Sequence, residues 1–269
     1  MDRYRLKNII IIILLLVNSF LTGSLVVRQT SERTSLHQTA EQLVELLAAD
    51  GITLEADSIP AGAPPACLSL PRDIEQEQNV AAFFLGGNPI RSDRGGEIYA
   101  YTGNTGGAAQ FRAGGSFDIA CTQSSTDGAD LVRDFCRRFS YEEPVFMLDD
   151  SGSGTATAVC LRGKLPVFNC TVTFTLDQGT LIAVSGTLLP KNSSAASYEQ
   201  EPLSAAAALT AFQTMRREQQ AAVSSITEIS SCYELQSTAS ALTLVPAWCI
   251  TTDTESYYVN CITGVVTAG

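Results

Sequence analysis

DGADLVRDFCRRF (residues 127–139), then TATAVCL (155–161), VFNCTVTFTL (167–176) and LIAVSGTL (181–188), is the stretch whose reading decides the fold. In the first segment Leu131, Val132, Phe135, Cys136 and Phe139 recur at the 3.6-residue spacing of one helical face. The next three segments are rich in β-branched residues and alternate in polarity. Asp177-Gln178-Gly179 between the last two is a hairpin signal. The order is therefore one helix followed by three strands. Further on, the order repeats. Pro202 opens a helix with Leu203, Ala206, Leu209, Phe212 and Met215 in register, after a Ser-rich connector over 191–201. Strands then read over Ile226–Leu235, Ala241–Thr251 and Tyr257–Ile262. Helices laid on one face of antiparallel sheets define an α+β class. Two similar units follow from this element order alone, because no residue-level repeat accompanies it.

Working back from residue 127, Leu36, Ala40, Leu43, Val44 and Leu47 predict a helix stopped by Gly51. Ile52–Ala56 reads as a short strand, and 61–65 as a Pro/Gly/Ala loop. Asp73 predicts the N-cap of a helix over Ile74–Leu85, ended by Gly86-Gly87. Glu97–Tyr101, Ala109–Arg112 and Ser116–Ile119 are separated by glycine-bearing turns and predict an antiparallel meander. No GxxxxGK[ST] sequence occurs among those glycines, so they read as tight turns. The chain thus divides into 1–28, a membrane-proximal α+β region over 29–126, and two helix-plus-three-strand units over 127–269.

Residues 1–28, MDRYRLKNIIIIILLLVNSFLTGSLVVR, set the location. Asn8 to Val27 carries no charge and as a helix spans roughly 30 Å, the hydrocarbon thickness of a bilayer. Arg3, Arg5 and Lys7 precede the run, which predicts a cytoplasmic N-terminus and an extracytoplasmic remainder on a single span. Thr22-Gly23-Ser24 offers the rival reading of a cleaved signal peptide, but Leu25, Val26 and Val27 prolong the apolar run past a usual signal core. On the span, Asn18, Ser19, Thr22 and Gly23 fall on one face. Ser19 and Gly23 form a small-xxx-small pair, and Asn18 and Thr22 carry side chains able to hydrogen-bond to a neighbouring helix. These four are the candidate partner-binding residues. The plainer reading is that they mark the outer half of an ordinary anchor.

The opening, with Met1-Asp2, spaced basic residues, an Ile/Leu run and Asn18-Ser19-Phe20-Leu21, resembles the YycI family, and shares architecture with YycH proteins. Pro246-Ala247-Trp248 and Tyr257-Tyr258-Val259-Asn260-Cys261, followed by Thr263-Gly264, are similar to the closing hairpin of PepSY-like and YycI-type domains. The resemblance implies a membrane-anchored, non-enzymatic regulator of a sensor histidine kinase in cell-wall control, working beside a sister YycH-like protein. It supplies no catalytic residue, metal ligand or cofactor. The alternative it leaves open is a PepSY-like inhibitor or binding module acting on a secreted peptidase or cell-wall enzyme.

Composition bounds the rest. The formal net charge is −11, from 17 basic and 28 acidic residues, and three of the basic ones precede the span. Phosphate binding needs clustered Lys and Arg, so nucleic acid is excluded as a partner. The eight cysteines include no CxxC pair, which argues against zinc-finger and thioredoxin chemistry. They read mostly as small core hydrophobes, with one or two bridges; Cys232 and Cys249 are the best candidates because they flank adjacent strands. The single histidine, His37, reads as a solvated helix residue. Glu142-Glu143 and Asp149-Asp150 read as turns and surface charge, since adjacent acids do not face each other across a substrate. Trp248 and Ile250 share a strand face and predict core packing. Tyr257 and Tyr258 point to opposite faces, leaving one free for a binding surface.

Overall fold

A computed structural model describes residues 39–104, 106–121, 127–196, 198, 200–237 and 241–269. The anchor over 1–28, its face of Asn18, Ser19, Thr22 and Gly23, and His37 lie outside the described residues. Among the described residues no helix is long and apolar enough to cross a membrane.

The fold is mixed α+β, with four helices and one branched sheet among the described residues. The helices are α1 (39–49), α2 (Ile74–Leu85), α3 (Gly128–Phe139) and α4 (Ala205–Gln219). Their boundaries follow from caps. Asp73 accepts from the Gln76 amide, Asp127 from Ala129, and Ser204 from Ala207, each satisfying an N–H left over in the first turn. Ser204, rather than Pro202, therefore sets where α4 begins.

One arm of the sheet runs β6 (Val145–Leu148), β7 (Gly154–Arg162), β8 (Leu165–Asp177), β9 (Thr180–Thr187), β5 (Ser116–Ala120), β4 (Ala108–Phe111), β3 (Tyr99–Thr102) and β2 (Ile90–Asp93). Every pair within it is antiparallel. The other arm joins β11 (Ile226–Ser237), β12 (Leu242–Thr252), β13 (Ser256–Asn260) and β14 (Val266–Ala268). The near end of β12 also holds β1 (Leu68–Leu70), which carries β10 (Ser194–Ala195). The two arms meet where Tyr233 of β11 lies parallel to Val167 of β8. There the Asn169 side chain stands in for a peptide group: its Nδ2 donates to the Leu235 carbonyl at 2.8 Å and its Oδ1 accepts from the Leu235 amide at 2.7 Å.

Two apolar cores lie under these arms. α2 and α3 cover the first, where Phe84, Phe135, Phe139, Tyr141 and Phe174 cluster. α1 and α4 cover the second, around Leu47, Leu209, Phe212, Trp248, Ile250 and Tyr257. Strand pairing runs across the expected boundary at residue 126, because β5 pairs along its length with β9, and α1 shares a core with α4. The short strand expected over Ile52–Ala56 reduces to one bridge, Thr53 beside Ser225, followed by a 3-10 turn at Ala56–Ser58. Five short strands, β1, β2, β6, β10 and β14, add to those expected; runs of two to four residues carry little periodicity, and the equally short β3 and β4 are legible only through the glycine-bearing turns beside them.

Candidate functional site

Strands β11, β12 and β13 bury one face under α1 and α4, and among the described residues no helix packs on the other. On the buried face Trp248 lies in the second core and its Nε1 donates to the Leu203 carbonyl at 2.9 Å. Tyr257 is 3% exposed and meets the Phe212 ring edge-on, with centroids 5.0 Å apart. Alternation turns Tyr258 to the other side. There its ring stacks on Phe168 of β8, with centroids 3.9 Å apart and planes 7° from parallel. This stack spans the two arms beside the Asn169 clamp.

The stack walls a groove of about 250 Å3 whose lining also includes Glu234, Gln236, Asn260, Thr263 and Val265. Asn260 organises it. Although only 6% exposed, its Oδ1 accepts from the amides of Ile262 and Thr263, each at 2.9 Å, which shapes the β13–β14 turn. Its Nδ2 donates to Oε2 of Glu234, and the Gln236 amide approaches the same oxygen at 3.5 Å. Gly264 completes the turn at φ 71°, a conformation that favours glycine. β13 and β14 form a hairpin, and its asparagine reaches across β12 to link the turn to a carboxylate on β11. The groove offers a flat aromatic wall, a carboxylate acceptor and amide groups. Burial and the neighbouring thiols Cys249 and Cys232 push the Tyr258 phenol up, so it enters any contact as a neutral hydroxyl.

All eight cysteines are free. Cys232 lies opposite Ala247, and Cys249 lies opposite Ser230, so the pair expected to bridge is offset diagonally on the ladder. Cys232 Sγ contacts the Ala247 carbonyl at 3.4 Å instead. Burial pushes the Cys121 thiol up to about 11 and those of Cys136 and Cys261 up to about 12. Such thiols remain protonated, and it is the thiolate that attacks and ligates.

The acid pairs lie outside the groove. Glu142 and Glu143 precede β6, and Asp149 and Asp150 follow it. Asp149 Oδ1 accepts from Ser151 N at 2.9 Å, Ser151 Oγ at 2.6 Å and Ser153 N at 3.0 Å, which is turn chemistry as expected. Between β3 and β4, Gly106 and Gly107 take positive φ in a tight turn, as expected, and Gly103 also serves packing: a Cβ there would sit 2.8 Å from the Gly106 carbonyl and 2.9 Å from that of Leu85. Sequence reasoning set one of Tyr257 and Tyr258 on a free face without deciding which, and missed Phe168, Glu234 and the role of Asn260. Their meeting is set by how β8, β11 and β13 are laid together, and no local spacing encodes it.

No family model matches the chain, and no curated protein does. Among solved structures it is similar to an uncharacterized protein from Eubacterium rectale ATCC 33656. The two are 13% identical over 77% of this chain and 81% of that one, with a TM-score of 0.43.

Proposed function

We propose that the protein is a non-enzymatic, membrane-anchored regulator whose extracytoplasmic part binds a sensor histidine kinase and restrains it in cell-wall control. The anchor at 1–28 brings the two chains into one membrane, and Asn18, Ser19, Thr22 and Gly23 pair with the kinase's transmembrane helices. Outside, two similar units, each a helix over antiparallel strands, present the binding surfaces. One observation carries the reading: the closing hairpin presents a shaped groove, walled by Phe168 and Tyr258, whose polar groups are arranged to accept and donate hydrogen bonds. That arrangement suits recognition. The neighbouring thiols Cys232, Cys249 and Cys261 are pushed up by burial and stay protonated, which fits the same reading. To restrain a kinase, the regulator must bind its inactive state more tightly than its active one, since equal binding shifts nothing.

The test is photocrosslinking in intact membranes from a probe at position 19 and, separately, from one at position 267 on the groove rim. Capture of a sensor kinase from both positions, or of a sister regulator together with the kinase, is the expected result. Capture of a secreted peptidase from the rim probe, with none from the anchor probe, replaces this reading with a PepSY-like inhibitor.

A further inference from the structure

The first arm of the sheet ends on a strand that is not finished off as an edge. β6 pairs with β7 and, among the described residues, with nothing else. It is short, Val145-Phe146-Met147-Leu148, and wholly apolar in sequence. Phe146 turns inward beneath Arg133, whose guanidinium carbon lies 5.1 Å from the ring centroid. The others turn out: Val145 and Met147 are each 63% exposed and Leu148 is 39% exposed. Natural edge strands usually carry charges or bulges that stop another chain from adding on. Here the charges sit only at the ends, with Glu142 and Glu143 before the strand and Asp149 and Asp150 after it. All four are exposed. The opposite edge differs: β2 is Ile-Arg-Ser-Asp, with one exposed apolar residue and charges inside the strand.

The flanks decide what can occupy the edge. A second copy of β6 added antiparallel, with Phe146 opposite Met147, would set Glu143 against Asp150 at both ends. Added parallel in register, it would set each acid beside itself. Like charges directly opposite one another destabilise a strand pair. Arg133 lies 4.0 Å from Glu143 and moderates one end only. At the other end Asp149 spends its Oδ1 on its own turn, and those bonds keep its carboxyl below the usual range and ionised. An extended segment with apolar residues in its middle and Lys or Arg at both ends meets complementary surface throughout. We propose that β6 is a docking edge for such a basic-flanked, extended segment of a partner protein, added as a further strand through main-chain bonds and gripped by Val145 and Met147. This stands apart from the identity of the partner and from the groove, and it rejects self-association along the same edge.

The test uses the full chain in nanodiscs and three labelled peptides: alternating Val and Thr with two Lys at each end, the same peptide with Glu replacing Lys, and a Lys-flanked peptide with its valines replaced by Gly. Fluorescence anisotropy measures binding up to about 1 mM peptide. Hydrogen exchange locates it. The Lys/Val peptide binds, slows exchange of the amides of β6, and loses about tenfold in affinity when salt is raised to screen the flanking charges. The Glu-flanked and Gly-substituted peptides bind at least about tenfold more weakly, each having lost one of the two terms. Val145→Lys with Met147→Lys removes binding, and since both side chains are exposed, the melting temperature stays within a few degrees. No binding of the Lys/Val peptide, equal binding of the Glu-flanked one, or binding that leaves β6 exchange unchanged each overturns the proposal. So does dimerisation of the unliganded chain that slows exchange at β6. Should the double-Lys variant not fold, the exchange map on the native chain still decides the matter.

Discussion

Tyr257 and Tyr258 are neighbours in sequence and opposites in circumstance. Tyr257 points beneath α4, where Phe212 and the second core enclose it, and its hydroxyl donates to Glu255 Oε1 at 2.7 Å. Tyr258 points to the side that no helix of the described residues covers, half-buried against Phe168 and bordering a groove. The same contrast holds across the arm. On the covered side Trp248, Ile250 and Val259 are packed by apolar neighbours. On the uncovered side lie Glu234 and Asn260, joined by a hydrogen bond. One side of the strands is apolar core, and the other holds polar groups in fixed geometry beside a groove. A binding surface made this way inherits its rigidity from the core behind it without exposing that core.

The largest effect should come from exchanging large for small at the two tyrosines in turn. Tyr257→Ala leaves a cavity beneath α4 and should lower stability by about 3–5 kcal/mol, as for other buried aromatics. Tyr258→Ala removes a half-exposed ring from a stacked pair and should lower it by about 1 kcal/mol. Urea unfolding with an unchanged m-value measures both. Equal losses would mean that the groove side is as much core as the helix side, and the distinction drawn between them would fail.

Next in size is Asn260→Ala, which probes how far the uncovered side supports itself. It removes the acceptor for the amides of Ile262 and Thr263 and the donor to Glu234. Leaving buried polar groups unmatched costs about 1–3 kcal/mol. Chemical-shift changes should concentrate in the β13–β14 turn and around Glu234, with the resonances of Trp248 and Phe212 unmoved. Spread of the change into the second core would show that the two faces are not separable.

The smallest expected effect is on pH. Hydrogen bonds from Ser224 and Ser225 hold the Asp253 carboxyl below its ordinary value of 3.8, and the loop that joins β12 to β13 depends on them. A carboxyl whose folded value is depressed contributes stability above its unfolded value and loses it as pH falls through the folded one. The melting temperature should therefore be flat from neutrality down to about pH 5 and decline below pH 4. Asp253→Asn should make the decline shallower. Because Asp253 is fully exposed, the change is small, and a steep loss between pH 5 and 7 would point to a different group.

Much of this was legible in the residues themselves. Asp73 and Asp127 announced the starts of α2 and α3, Gly86 the end of α2, and Asp177-Gln178-Gly179 the hairpin between β8 and β9. Alternation over 246–260 assigned Trp248 and Ile250 to a core and set Tyr257 and Tyr258 on opposite faces; that Tyr257 is the buried one only the packing decided. Those signals are local, carried by caps, turns and period-two patterns that neighbouring residues write together. The anchor reading is local in the same sense, resting on length, apolarity and flanking charge. What only tertiary structure decided was which strands lie side by side. Phe168 and Tyr258 are far apart in the chain, as are Glu234 and Asn260, and Asn169 meets Leu235 only where the two arms join. The diagonal offset of Cys232 and Cys249, and the position of β6 at an edge, follow from the same pairing. Strand order and register are chosen by the total burial and hydrogen bonding of the whole sheet, so no short stretch of sequence contains them.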